Sequence, residues 1–229
     1  KFEAMDKSAK LDWIGIFLLA MMSGMFIFGV TEIRASRSHI IGVSAFAGGI
    51  ASIVIYLFYA WKKKDSALIP LSLFKSKNFT ASFVSLFLAG FATNGPMLLF
   101  PMFFQNVRGL NVILSALWLI PQGVGMLVTR PLIGKMTDKI GARFVVIPSV
   151  IITIAGTFPF VFFDAVTPEW IIWVVLFLRG MGVGGISIPI MSDSYLGLQK
   201  SQVPAASVAT RIIQNVGAAF GSAILATVV

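Results

Sequence analysis

Long apolar runs separated by short polar stretches set the pattern of this chain. Crossing a bilayer takes about 20 mainly apolar residues, because the hydrocarbon core is about 30 Å thick and each helical residue rises 1.5 Å. Seven runs reach that length: Leu11–Ile33, Ile40–Trp61, Phe79–Phe104, Val112–Ile133, Phe144–Phe163, Trp170–Met191 and Ala205–Val229. Backbone groups in hydrocarbon have no water to bond, so each run predicts a helix and not an open strand. The expected fold class is all-α: a polytopic helical membrane protein with about seven transmembrane helices.

The polar positions between these runs orient the chain. With the N-terminus inside, the inner segments hold Lys1, Lys7, Lys10, Lys62, Lys63, Lys64, Lys75, Lys77, Lys135, Lys139, Arg143 and Lys200, whereas the outer loops hold only Arg34, Arg37 and Arg108. That asymmetry of twelve to three places the basic loops on the cytoplasmic side. The outer loop FDAVTPEW is acidic, and Trp170 and Trp173 suit an interface. Residues 62–78 form the longest connection, which predicts a cytoplasmic linker between a helix pair at 1–61 and a five-helix bundle at 79–229.

Composition narrows the function classes. Hydrophobic residues make up 57% of the chain and charged residues 12%, against about 45–50% and about 25% in soluble domains. The net charge of +9 sits at the ends of apolar runs and not on a polar surface, so nucleic acid is not an expected partner. No cysteine is present and His39 is the one histidine, which excludes disulfides and gives no metal site. No phosphate loop or nucleophile with a paired base appears, so neither an enzyme nor a cofactor is expected. The first residue is Lys1, and Val229 lies inside an apolar run; the expectation is a piece of a longer protein.

The segment GKMTDKIGAR, Gly134–Arg143, is the most specific feature. Gly134 allows close backbone approach at a helix end and Gly141 suits a turn. Asp138 can cap a helix or pair with an arginine, and Lys139 and Arg143 anchor the loop inside. Either an ordinary basic turn or a charged latch between conformational states has this chemistry. The segment resembles the cytoplasmic loop signature of the major facilitator superfamily, G-x-L-x-D-[RK]-x-G-[RK]-[RK]. Met136 and Ala142 depart from it, so the glycines, Asp138, Lys139 and Arg143 carry the match. LDWIG at Leu11–Gly15, PLSLFKSKNF, FPMFFQNVRGL, FLRGMGVG and AASVATRIIQNVGAAFGSAILA follow the order of that superfamily's fourteen-span drug/proton antiporters. The resemblance covers essentially the whole chain and places it at family spans seven to thirteen, with the last helix of the C-terminal bundle missing.

Several polar residues lie inside the apolar runs. Arg179 reads as the charge nearest the middle of a span, where a cation costs about 2.5–3.5 kcal/mol on the lenient insertion scale. Two readings stand: it faces a central cavity or the missing half, or it bonds carbonyls as a structural arginine. Gly180 and Gly184 suit close helix packing there, while Gly182 and Gly185 loosen the helix. Asn94 and Gln105 are about three turns apart on one face, with Pro96 and Pro101 between them to bend the helix. Gln122 opens the fourth run near Pro121. Ser207, Arg211, Gln214, Ala218 and Gly221 align in the last run, with Asn215 beside them and Gly217 and Gly221 as a small-residue contact. Such stripes serve helix packing or substrate contact. Phe83, Phe87, Phe91, Phe100, Phe103 and Phe104 supply aromatic surface for lipid or for lipophilic cations.

Asp12, Glu32, Asp138, Asp164, Glu169 and Asp193 all fall at or near span ends. A carboxylate able to couple protons belongs inside the membrane, where burial raises its pKa. It is therefore expected in the missing half. The resemblance implies two six-helix bundles around a mid-membrane cavity, in the bacterial cytoplasmic membrane, with the first two helices here as an extra pair outside the bundles. It also implies proton-coupled efflux of small lipophilic or cationic compounds, with membrane lipid, protons, a small-molecule substrate and the N-terminal bundle as partners. A seven-helix receptor or a non-transporting membrane fragment remain the alternatives; no lysine in a span core could hold retinal.

Overall fold

The computed structural model describes residues 12–34, 39–63 and 67–226. All regular structure among these residues is helical. The chain divides into two compact units, Lys1–Lys75 and Ser76–Val229.

In the first unit, α1 (Trp13–Arg34) packs along α2 (His39–Lys63). Gly29 lies against the Phe46 backbone, and the Phe26 and Phe46 rings meet edge to face at 5.2 Å. α1 starts after Asp12, so the predicted start at Leu11 moves inward and Asp12 stands outside the helix. Its carboxylate accepts from the Gly15 amide at 3.1 Å, which caps the first turn. It also accepts from Tyr59 Oη (2.6 Å), Lys63 Nζ (2.8 Å) and the Leu68 amide (3.0 Å). Burial would raise the Asp12 pKa, but hydrogen bonds from Lys63 and Tyr59, then from the Gly15 and Leu68 amides, hold it down at about 2. The predicted linker over 62–78 is thus partly structured. α2 runs to Lys63, a 3-10 turn forms over Leu71–Lys75 with Leu73 buried, and the next helix begins at Lys77.

The second unit contains α3 (Lys77–Asn106), α4 (Val112–Leu117), α5 (Ile120–Ile140), α6 (Ala142–Thr157), α7 (Glu169–Gly184), α8 (Ser187–Asp193) and α9 (Val203–Ala226). Two predicted spans are interrupted. Pro121 lacks an amide proton and stands in the first turn of α5, so the chain turns at Trp118–Leu119 and restarts. Gly185 ends α7 near φ −92° and ψ −2°, and α8 carries the span onward. With α4–α5 and α7–α8 each taken as one crossing, six segments among the described residues are long and apolar enough to span a membrane. The first predicted span, α1, has a shorter apolar stretch, Trp13–Phe26.

Glycines set the distances between these helices. On α9, a methyl at Gly217 would strike the Phe87 carbonyl and one at Gly221 the Phe91 carbonyl, so α3 and α9 meet backbone to backbone. Gly180 of α7 lies on the Gln122 carbonyl of α5, and Gly184 lies on Met126. Gly182 does not merely loosen α7, as the sequence suggests. It packs on Ser149 and Thr153 of α6. α7 is therefore gripped on two sides through positions that no side chain could occupy. Buried hydroxyls need no outside partner: Thr93, Thr129, Ser149 and Thr153 donate to the carbonyls four residues back at 2.7–2.8 Å.

Candidate functional site: a cavity walled by arginines and amides

α3, α5, α7, α8 and α9 enclose a cavity of about 500 Å³. Its polar lining is Thr93 and Asn94 from α3, Gln122 and Arg130 from α5, Ser187 from α8, and Arg211 and Gln214 from α9. Met97, Met126, Val183, Ile188 and Met191 supply the apolar wall. Arg130 lies ten residues before the end of α5, about 15 Å along the axis. Arg211 lies eight residues after the start of α9, about 12 Å. Both side chains line the cavity and both are exposed.

The amides are positioned and the arginines are free. Gln214 donates to Ser187 Oγ at 2.7 Å, which ties α9 to α8. Asn94 donates to the Gly90 carbonyl and to Thr93 Oγ1, each at 3.2 Å. Gln122 is buried and its Oε1 has no hydrogen-bond partner. Arg130 and Arg211 make no hydrogen bond or ion pair with any described residue, and no carboxylate lines the cavity.

Four of the sequence-predicted candidates, Asn94, Gln122, Arg211 and Gln214, come together here. Gln105 does not, because it stands one residue from the end of α3, far from the cavity level of Asn94. Asn215, exposed like Arg211, is not among the residues that line the cavity. Arg179 is fully buried behind the cavity wall. It donates from Nη2 to the Thr93 carbonyl at 3.0 Å and from Nε to Thr157 Oγ1 at 3.2 Å, and its guanidinium lies 4.7 Å from the Phe100 ring centre. The carbonyl-bonded, structural reading describes its surroundings. Arg130, which the sequence pattern does not single out, stands on α5, which continues helical to Ile140.

That continuation also changes the Gly134–Arg143 segment. It is the end of α5 and the start of α6, and the turn is confined to Gly141 at φ +88°. Gly134 has no atom within 4 Å of where a methyl would lie, so no close approach requires it. Asp138 and Lys139 are exposed, and Asp138 does not cap α6, whose N-cap is Gly141. Arg143 faces a second, mostly apolar cavity with Asp193. Asp138 makes no ion pair among the described residues.

Comparison with known proteins decides the family. The sequence profile of the Major Facilitator Superfamily matches residues 13–222. The chain belongs to the Major Facilitator Superfamily. Within it, the chain is 26% identical over 224 residues to the Multidrug resistance protein B homolog of Mycobacterium tuberculosis, covering 95% of this chain and 41% of the relative. It is 26% identical over 223 residues to Lincomycin resistance protein LmrB of Listeria monocytogenes, covering 96% and 46%. Probable transport protein HsrA of Haemophilus influenzae is 26% identical over 226 residues, covering 95% and 47%. The chain therefore spans less than half the length of these curated relatives. It is a multi-pass protein of the cytoplasmic membrane, and its family points to transport and not to catalysis.

Proposed function

We propose that this chain is the C-terminal part of a proton-coupled exporter of small lipophilic compounds. The observation that carries the reading is a cavity with polar and apolar walls between the helices of a Major Facilitator chain whose relatives bear drug-resistance names. Alternating access requires a cavity wall that moves as a body against another part of the protein. The backbone contacts of α3 with α9 and of α5 with α7 suit such a body. Lipophilic solutes fit methionine surfaces that adapt their shape, while the amides supply orientation.

Asp138, Lys139 and Arg143 are the latch in this proposal: an exposed acid without a partner, beside two cations at a rigid glycine turn, is available to a partner in one state and free in another. On this reading the proton-coupling acid belongs to the N-terminal bundle of the same protein, in keeping with a cavity that no acid among the described residues lines.

The test is efflux of a dye panel from vesicles holding the full-length parent protein, with and without a proton gradient. We expect gradient-dependent efflux, and Asp138→Asn to slow it about tenfold or more while leaving dye binding unchanged. Efflux indifferent to the gradient sinks the antiport reading.

A further inference from the structure

The resemblance implies cationic drugs as one substrate class, but the cavity has the opposite polarity. Arg130 and Arg211 project into it without a counter-charge, the other polar lining groups are neutral, and no carboxylate reaches it. Both side chains carry a guanidinium cation. Both guanidinium groups are exposed at the cavity, so an anion that enters meets two cations that have no counter-charge among the described residues, beside an apolar wall. A lipophilic cation meets repulsion in the same place.

We propose that the cavity takes small amphiphilic organic anions, carboxylates or sulfonates. The charged head pairs with Arg130 and Arg211, whose planar donor forks match both oxyacid geometries. The apolar body lies on the methionines, of which Met97, Met126 and Met191 line the same space. This rests on the reading of the cavity as a substrate site. The competing source of negative charge is a carboxylate from the part of the protein outside this chain, which would occupy the arginines itself.

Two dansyl probes that share one fluorophore separate these cases: dansylglycine carries a carboxylate and dansylcholine a quaternary ammonium. Equilibrium binding is measured on the full-length protein in nanodiscs. We expect dansylglycine to bind at least about tenfold more tightly, and the Arg130→Gln/Arg211→Gln pair to weaken it by at least about tenfold while dansylcholine binding holds or improves. Preference for dansylcholine overturns the proposal. So does unchanged dansylglycine binding in the glutamine pair, which is the result expected if a protein carboxylate already occupies the arginines. Wild-type displacement guards against misfolded variants: decanoate must displace dansylglycine and decyltrimethylammonium must not, and the reverse order overturns the proposal. Binding needs no turnover, so the readout is independent of transport. Selective anion binding with no efflux of either probe would defeat the transport reading alone, and efflux with cation-selective binding would defeat the anion proposal alone.

Discussion

Asp12 in the first unit and the cavity arginines in the second show two fates of a charge among apolar helices. Asp12 is only 6% exposed, yet its two oxygens receive four donors: two backbone amides, a phenol and an ammonium. Arg130 and Arg211 receive nothing and face open space. A charge whose bonding capacity is filled by its own fold is fastened there. One left unfilled at a cavity is available to something that arrives. Arg179 is intermediate, buried like Asp12 but held by a carbonyl, a hydroxyl and a ring, with Nη1 unpartnered. The charges differ in their partner sets as well as in their exposure, and removing partners tests the first of these.

The largest effect is expected at Asp12. Asp12→Ala strands four donors, two of them backbone amides, and each buried donor left without an acceptor costs about 1–3 kcal/mol. Chemical unfolding in detergent, or proteolysis of the first unit, should report it. Asp12→Asn keeps an acceptor and should cost less. The acid side provides a signature. The folded pKa of about 2 lies below the usual 3.8, so the carboxylate contributes stability in full above pH 3.8, and that contribution fades as pH falls through 2. The gap between wild type and Asp12→Asn should therefore hold from pH 8 to pH 5 and narrow, by about 2 kcal/mol at most, toward pH 2. A gap that stayed constant to pH 2 would show that the ionised carboxylate is not what fastens the unit.

Arg179 comes next. If it serves structure, Arg179→Ala should destabilise by about 2–4 kcal/mol, mainly through the void left between Thr93, Thr157 and Phe100. Arg179→Met should recover much of that loss, since it fills volume without leaving a charge that lacks a carboxylate. The measurement is the detergent melting temperature beside probe binding. Binding that fell in both variants while stability recovered in methionine would instead assign Arg179 to the site.

The helical class, the order of the apolar runs and the small-residue contacts at Gly180, Gly184, Gly217 and Gly221 were legible, because each depends on local composition and periodicity. The breaks at Trp118–Leu119 and Gly185 were not read as breaks, since an apolar run looks continuous wherever the chain turns within it. Site membership was only half legible. Asn94 and Gln122 meet Arg211 and Gln214 because glycines bring α3 to α9 and α5 to α7, and no spacing within one helix reveals which neighbour it will face. Gln105 shares a helical phase with Asn94 but lies near the helix end, where phase no longer predicts proximity. Arg130 shows the converse: it lies inside the predicted run Val112–Ile133, but only the packing of α5 with its neighbours places it at the cavity.

The smallest effects separate the two glycines of the α5–α6 junction, where the same distinction between a used and an unused position applies to backbone. Gly141 holds φ +88°, a conformation that places Cβ against the backbone of an L-residue, so Gly141→Ala should cost about 1 kcal/mol even though open space surrounds it. Gly134 lies within α5 with nothing near its missing side chain. Gly134→Ala should leave stability unchanged or raise it by up to about 1 kcal/mol, because alanine is the better helix former. Melting temperatures of the two single variants decide the matter. If Gly134→Ala is neutral for stability yet slows efflux, the glycine serves the moving partner of the latch and not the fold of this chain. If it destabilises, α5 must approach a neighbour there that lies outside the described residues.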